Sequence, residues 1–258
     1  MTATAKTSLH RFASPAAFMR VSRIAFPVVM LLAALCLSIG LYKALFDSPP
    51  DYQQGEFVRI MYIHVPSAWL STMLYGVMAV LSVSYLVWRH PLADILARET
   101  APIGAAFTFI TLVTGSLWGK PMWGAYWVWD ARLTSMLILF FLYMGYIMLS
   151  RAAESSERLR TSSAWLCIVG AINLPIIKFS VDWWNTLHQG ASILRLDGPT
   201  IDNSMLMPLL TCIAGFTLLA LALVLLRAEA ALNEQKIRRL QRKMMLAKTR
   251  ENDSMSEL

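Results

Sequence analysis

Six stretches of predominantly apolar residues, each about long enough to cross a bilayer, constrain this chain more than any other feature of its sequence. Backbone polar groups find no water inside a membrane, so a segment of roughly 20 apolar residues must satisfy them internally as an α-helix. The composition agrees, because 57% of the 258 residues are hydrophobic and only 15% are charged. The sequence therefore predicts an all-α polytopic membrane protein with six transmembrane helices: Ile24–Phe46, Val65–Trp88, Ala101–Leu117, Leu133–Ser150, Ser162–Ser180 and Ser204–Leu226.

The distribution of positive charge predicts the orientation of these spans. Seventeen of the 23 lysines and arginines fall in the N-terminus, the second and fourth loops and the tail, and cytoplasmic segments carry such an excess. Both termini are therefore predicted to be cytoplasmic. Residues 1–258 form one six-helix membrane domain, with extracytoplasmic loops at 47–64, 118–132 and 181–203 and a basic cytoplasmic tail at 227–258. The tail indicates a solvated helix beside anionic lipid headgroups, and nucleic acid is not an expected partner.

Tryptophan is concentrated on the predicted extracytoplasmic side, which carries six of the nine tryptophans. An interfacial aromatic belt would scatter them over both membrane faces. Instead, four lie within twelve residues and are interleaved with glycines and a proline, which shape a backbone rather than anchor a helix. This pattern favours a flat aromatic platform for a large planar ligand such as a porphyrin. Its members are Trp118, Gly119, Trp123, Gly124, Trp127, Trp129 and Asp130.

A porphyrin of the haem type carries two propionates, so cations are expected beside the platform. Arg132 follows the platform directly, and Arg59, Lys120 and Arg195 lie on the same side of the membrane. Arg132 has an equally good alternative role, as a charge at the end of a helix paired with Asp130. The sequence leaves both roles of Arg132 open.

Two histidines share the predicted extracytoplasmic side with the tryptophans, whereas His10 and His90 fall on the cytoplasmic side. His64 lies at the mouth of the second span, and His188 lies in a short helix predicted ahead of the sixth span, within Asp182–Gly190. Two neutral imidazoles from different loops could occupy both axial positions of a haem iron. Cys36, Cys167 and Cys212 fall inside predicted spans and are assigned no chemistry.

The tryptophan-rich run also resembles a known signature. Its pattern, Trp-Gly-x-x-x-Trp-Gly-x-x-Trp-x-Trp-Asp over residues 118–130, is similar to the "WWD" signature of the membrane proteins that handle haem in cytochrome c biogenesis. The six spans and the two outer histidines resemble haem exporter protein C of the bacterial cytochrome c maturation system. The larger haem lyases of that group carry more spans and further transmembrane histidines. The resemblance covers nearly the whole chain except the basic tail.

This resemblance implies a function and a set of roles. His64 and His188 would be the axial ligands of a non-covalent, transiently held b-type haem, residues Trp118 to Asp130 would form the platform, and Arg132 would lie near the propionates. The chain would be a haem-delivery protein of the bacterial inner membrane and not an enzyme. It would offer haem to a periplasmic haem chaperone, whose own histidine bonds to a haem vinyl group. A small single-span subunit and a two-subunit ABC ATPase would complete the system.

Two other classes of protein remain as alternatives. A haem transport permease is compatible with six spans, although the chain has no nucleotide-binding P-loop of its own and no paired discontinuous helices. A b-type cytochrome would carry histidines at the centres of its spans, and this chain does not. The fifth span contains Asn173, Pro175 and Lys178. These three residues have two interpretations, an access path for haem or a proline kink that neighbours stabilise, with Lys178 reaching the outer interface. The kink is the preferred interpretation.

Overall fold

The computed structural model describes residues 14–152, 156–188, 190, 192–193 and 197–256, with no side-chain description at residue 248 or from 250 onward. The predicted roles of His10 and Arg195 lie outside these residues. Six segments are long and apolar enough to cross a membrane, which confirms the all-α architecture with six spans. The described part of the chain contains seven α-helices: α1 (Pro15–Tyr42), α2 (Met61–Trp88), α3 (Pro91–Trp123), α4 (Ala131–Ala152), α5 (Glu157–Gly170), α6 (Asn173–Trp183) and α7 (Asn203–Ser256).

The fifth span consists of α5 and α6, which are separated by a break at Ala171 and Ile172. Pro175 lacks the N–H that would continue the helix, and the Ala171 carbonyl accepts instead from the Leu174 N–H at 3.0 Å. The Asn173 amide is buried and donates to the Ser135 carbonyl of α4 at 2.8 Å. The predicted kink is therefore present, and a neighbouring helix stabilises it.

Glycines set the closest helix contacts of the bundle. The outermost helix, α1, packs along α7, where a Cβ added to Gly40 would lie 3.0 Å from Cys212 Sγ. In the centre, Gly104 of α3 lies directly against the Tyr143 hydroxyl of α4. That hydroxyl is buried and donates to the Ser71 carbonyl of α2 at 2.8 Å. Small residues thus allow α2, α3 and α4 to surround one buried tyrosine.

The two ends of the bundle differ in character. At the basic end, ion pairs join different helices: Arg23 to Glu229 at 3.2 Å, Arg227 to Glu99 at 2.9 Å and Arg89 to Glu157 at 3.4 Å. At the opposite end, which we call the site end, the end of α1 and the starts of α2 and α7 share an apolar cluster with Trp118. A π-helical turn, Lys43–Asp47, and a 3-10 turn, Glu56–Ile60, bound the loop at this end.

The structure corrects three boundaries. Helix α3 begins at Pro91 rather than at the predicted Ala101, and proline is a residue type favoured in the first turn of a helix. It also continues to Trp123, so the loop predicted at 118–132 is irregular only between α3 and α4, at residues 124–130. The helix predicted within Asp182–Gly190 is wrong, since α6 ends at Trp183 and the chain through His188 is not helical.

Candidate functional site

Four segments place the predicted site residues at the site end. His64 lies in the first turn of α2, the first tryptophans lie in the last turns of α3, Asp130 precedes α4, and His188 follows α6. Gly124 ends α3 with a φ of 76°, a backbone conformation that favours glycine, and its N–H bonds to the Lys120 carbonyl. The backbone conformation at this position therefore favours glycine whether or not a ligand is bound.

His64 packs against α3. Its Nδ1 lies 3.0 Å from the Thr114 hydroxyl oxygen, and its ring meets the Trp118 indole edge-on, with centroids 5.6 Å apart. A Cβ added at Gly115 would lie 3.1 Å from His64 Cε1. The absence of a side chain at Gly115 thus lets the imidazole approach the α3 backbone.

His188 contacts the end of α3 and the residue that precedes α4. Its ring centroid lies 4.9 Å from that of Trp123, and its Nδ1 lies 3.5 Å from Asp130 Oδ2. The other oxygen of Asp130 accepts from the Leu133 N–H at 2.7 Å, which makes Asp130 the N-cap of α4. One carboxylate therefore both starts a helix and positions His188.

The two imidazoles share one electrostatic environment. The Arg132 charge acts on both His64 and His188. Burial and the nearby Arg132 guanidinium lower the pKa of His188 from its ordinary value of 6.5, an effect that the Asp130 carboxylate opposes. The His188 imidazole is therefore neutral at neutral pH, which is the form that binds a metal.

The tryptophans do not form one flat surface. The Trp127 and Trp129 rings are 5.5 Å apart and nearly perpendicular, at 77°, so both cannot lie face-on against one planar ligand. Trp123 folds back over Gly119, where an added Cβ would lie 2.9 Å from the indole. Trp118 donates from its indole nitrogen to Gln54 Oε1 at 2.9 Å. The tryptophans thus make an aromatic wall with several orientations rather than the predicted flat platform.

Two polar groups at this wall make no hydrogen bond or ion pair with another described residue. Trp127 Nε1 is buried and finds no hydrogen-bond acceptor within the described residues. The charges of Asp130 and Asp182 act on Arg132, but in the described part of the chain the ion pair of Asp130 is with His188 and not with Arg132. A buried indole N–H and an unpaired guanidinium are suitable donors for a carboxylate of a bound ligand. These residues therefore fit the propionates of haem.

The other predicted cations have structural roles. Arg59 donates to the Ala44 carbonyl at 2.6 Å and pairs with Glu56 at 2.5 Å, which fixes the loop after α1. Lys120 donates to the Gly124 carbonyl at 3.0 Å and lies over the Tyr126 ring. Both cations therefore have partners within the protein in this structure. Arg132 alone among the described cations predicted for the site lacks such a role.

Sequence reasoning missed Thr114, Gly115 and Gln54. Thr114 is one helical turn before Trp118, so both lie on the same face of α3. The sequence analysis could not relate Thr114 to Trp118, because the predicted span ended at Leu117. Gln54 contacts Trp118 through a loop that Asp51 holds, by accepting from the Gln53 and Gln54 N–H groups at 2.9 and 2.8 Å. No sequence pattern relates this loop to α3.

Comparison with known proteins identifies the family. The family model described as heme exporter protein C matches residues 8–243. The chain is 53% identical over 229 residues to heme exporter protein C of Bradyrhizobium diazoefficiens, covering 89% of this chain and 87% of that protein. The chain belongs to the haem exporter protein C family. It is also 47% identical to the protein of that name from Haemophilus influenzae, over 90% of this chain and 94% of that protein. The corresponding Escherichia coli protein is 44% identical, over 85% and 89%.

Membership of the haem exporter protein C family agrees with the resemblance found in the sequence. The matched region contains the whole candidate site, from His64 to His188, and it ends within α7 at residue 243. The match therefore covers every residue that forms the aromatic wall and its two imidazoles.

Proposed function

We propose that this member of the haem exporter protein C family holds haem at the site end of its bundle and delivers it to a periplasmic haem chaperone. One observation supports this most directly. His64, from α2, and His188, from the segment between α6 and α7, each contact a tryptophan in the last turns of α3, with ring centroids 5.6 Å apart for His64 and Trp118 and 4.9 Å apart for His188 and Trp123. In this proposal His64 and His188 are the two axial ligands of the iron.

The unpartnered donors support the same ligand. In this proposal Arg132 and the Trp127 indole N–H bind the propionates, while Trp123 and Trp118 contact the two imidazoles themselves. Two protein ligands leave no open coordination position for oxygen chemistry, which suits a carrier better than an oxidase. The haem is then cargo, b-type and held without a covalent bond.

Delivery requires that part of the site stay open to a second protein. Several aromatic side chains at the site end are exposed, among them Trp129 at 77%, with Tyr126, Trp183 and Trp184 at half or more. Exposed aromatic residues are frequent in protein contacts. The chaperone would dock here, and the N–H of its own histidine would add across the double bond of a haem vinyl group, with the proton going to the other vinyl carbon. The chain supplies position and ligands, and no redox turnover.

The proposal places the site end in the periplasm of a bacterial inner membrane and both termini in the cytoplasm. The basic end carries the ion pairs of Arg23, Arg89 and Arg227, as the excess of positive charge on cytoplasmic segments suggests. The remaining partners are a small single-span subunit and a two-subunit ABC ATPase that releases the loaded chaperone. They follow from the family resemblance.

The ligand assignment can be tested by absorption spectroscopy. We expect His64→Ala and His188→Ala, purified from haem-replete membranes, each to retain less haem and to show a shifted Soret band, because one axial ligand is lost. His90→Ala is the matched control, since His90 precedes α3 at the basic end and caps nothing with its side chain. Spectra of both site variants that match the unchanged protein would refute the assignment.

A permease would behave differently in sealed vesicles. Haem would then cross the membrane through the chain with the ATPase present, and flux would not require a chaperone. The delivery proposal expects haem to remain on the chain until the chaperone removes it. Vesicle flux with and without the ATPase distinguishes the two.

A further inference from the structure

We infer that Thr114 and Asp130 are positioning residues that fix the tautomers of His64 and His188, and that they do so unequally, making His188 the stronger ligand. This inference rests on the proposed function. Each histidine uses Nδ1 to contact a polar oxygen, Thr114 Oγ1 for His64 and Asp130 Oδ2 for His188. In both cases Nε2 is the nitrogen left for a metal.

The tautomer of His64 follows from counting one proton. The Thr114 hydroxyl has a single proton, and it donates that proton to a carbonyl of its own helix, at 2.7 Å from Ile110 O and 3.3 Å from Thr111 O. Its oxygen can then only accept from the His64 ring 3.0 Å away. Nδ1 of His64 therefore carries the proton, and Nε2 keeps its lone pair.

The tautomer of His188 follows from the chemistry of a carboxylate. An ionised Asp130 has acceptors only. Oδ1 accepts from the Leu133 N–H at 2.7 Å, and Oδ2 faces His188 Nδ1 at 3.5 Å. That nitrogen must carry the proton, and the lone pair is again on Nε2.

The two partners differ in charge, which makes the ligands unequal. A carboxylate that accepts from a ligating imidazole fixes the ring and raises its basicity. A neutral hydroxyl also fixes the ring orientation, but it raises the basicity of the imidazole less. His188 also comes from a non-helical segment, so its orientation depends on Asp130, whereas His64 is already fixed within α2 and packs over Gly115. Asp130 should therefore affect haem binding more than Thr114.

Asp130 also caps α4, so the test must separate capping from tautomer control. Asparagine and serine are both good N-cap residues, and both remove the charge. In Asp130→Asn the amide oxygen can still accept from the Leu133 N–H. The NH₂ group then faces Nδ1 of His188 and donates to it. This favours the His188 tautomer that carries its proton on Nε2. In Asp130→Ser the short side chain leaves Nδ1 of His188 to water. A purely structural role predicts equal effects of Asp130→Asn and Asp130→Ser.

The experiment is titration of the haem-free, full-length chain in detergent with haemin, followed by absorption spectroscopy and redox potentiometry. We expect Asp130→Asn to weaken haemin binding about 10- to 100-fold and to raise the iron reduction potential. Asp130→Ser should weaken binding less. Thr114→Val should weaken it by less than about tenfold, and Thr114→Ser, which keeps a hydroxyl, should behave as the unchanged chain. Circular dichroism of each variant checks that the helix content of the chain is unchanged.

The outcomes separate this inference from the proposed function. If His64→Ala and His188→Ala change the spectrum but Asp130→Asn matches Asp130→Ser in affinity and potential, the ligation stands and the tautomer assignment fails. If Thr114→Val weakens binding more than Asp130→Asn, the order of ligand strength is reversed. If neither histidine variant changes the spectrum, the proposed function itself fails.

Discussion

At the scale of single residues, two indole N–H groups at the aromatic wall differ in their partners. Trp118 donates to Gln54 at 2.9 Å, whereas the buried nitrogen of Trp127 finds no acceptor in the described part of the chain. Leaving a buried donor unpaired costs roughly 1–3 kcal/mol. A protein that tolerates this cost in the haem-free state can recover it when a ligand supplies the acceptor.

Replacing each tryptophan by phenylalanine tests this difference. Both changes shorten an aromatic side chain, but only Trp118→Phe breaks an existing hydrogen bond. We expect Trp118→Phe to lower the stability of the haem-free chain by about 1 kcal/mol more than Trp127→Phe does. Trp127→Phe should instead weaken haemin binding about tenfold, because a hydrogen bond to a charged group contributes roughly 1.5 kcal/mol or more. Thermal unfolding in detergent and haemin titration measure the two effects, and unchanged haemin affinity in Trp127→Phe would show that its N–H has no ligand role.

The grouping of the site residues could be predicted from the sequence, but the orientation of their rings could not. Residue type and topology were enough to group His64, His188 and Arg132, because helix alternation sends their segments to one end. Ring orientation was not predictable. Whether Trp127 lies parallel or perpendicular to Trp129, and whether Arg59 faces a ligand or the Ala44 carbonyl, depends on packing between segments distant in sequence.

At the scale of helices, hydropathy located all six spans and misplaced several of their ends. The predicted start of the third span at Ala101 is wrong because the polar turns before it are helical as well. Hydropathy counts Asp94 and Arg98 as a loop, whereas their mutual pairing lets them continue a helix into the interface. The reverse error occurred after Trp183. There, residues with moderate helix propensity are non-helical, and His188 contacts Asp130 and Trp123, which are distant in sequence.

Glycines at the helix contacts give a prediction about packing between α3 and α4. An alanine at position 104 would place its Cβ on the Tyr143 hydroxyl, which is buried and bonded to Ser71. We expect Gly104→Ala to destabilise the chain by about 1–3 kcal/mol, the usual effect of overpacking a rigid core. Gly76→Ala is the control, because its nearest neighbour would be Leu174 Cδ1 at 3.8 Å. That change should be neutral or stabilising by up to roughly 1 kcal/mol, as alanine usually is in a helix interior. Equal melting temperatures for the two variants would contradict this account of the contact.

At the scale of the whole molecule, the chain is divided into an aromatic end and a basic end, and α7 extends far past the basic end. With 54 residues, α7 is about 80 Å long at roughly 1.5 Å per residue, whereas the hydrocarbon core of a bilayer is about 30 Å thick. The predicted basic tail is therefore a continuation of the last span as one helix. Its side chains around Met244 and Met245 are exposed.

This polarity predicts which positions a membrane-impermeant thiol reagent can reach. Tyr52, 90% exposed in the loop at the site end, and Met245, 72% exposed on the tail, lie on opposite sides of the membrane if the proposed orientation holds. We expect Tyr52→Cys to be labelled in cells whose outer membrane alone has been opened, and Met245→Cys only after the inner membrane is permeabilised. The unsubstituted chain gives the background, which should be low because Cys167 and Cys212 are buried and Cys36 lies within α1. Labelling of Met245→Cys in cells with an intact inner membrane would reverse the topology and would put His64, His188 and the aromatic wall in the cytoplasm, where a periplasmic chaperone could not reach them.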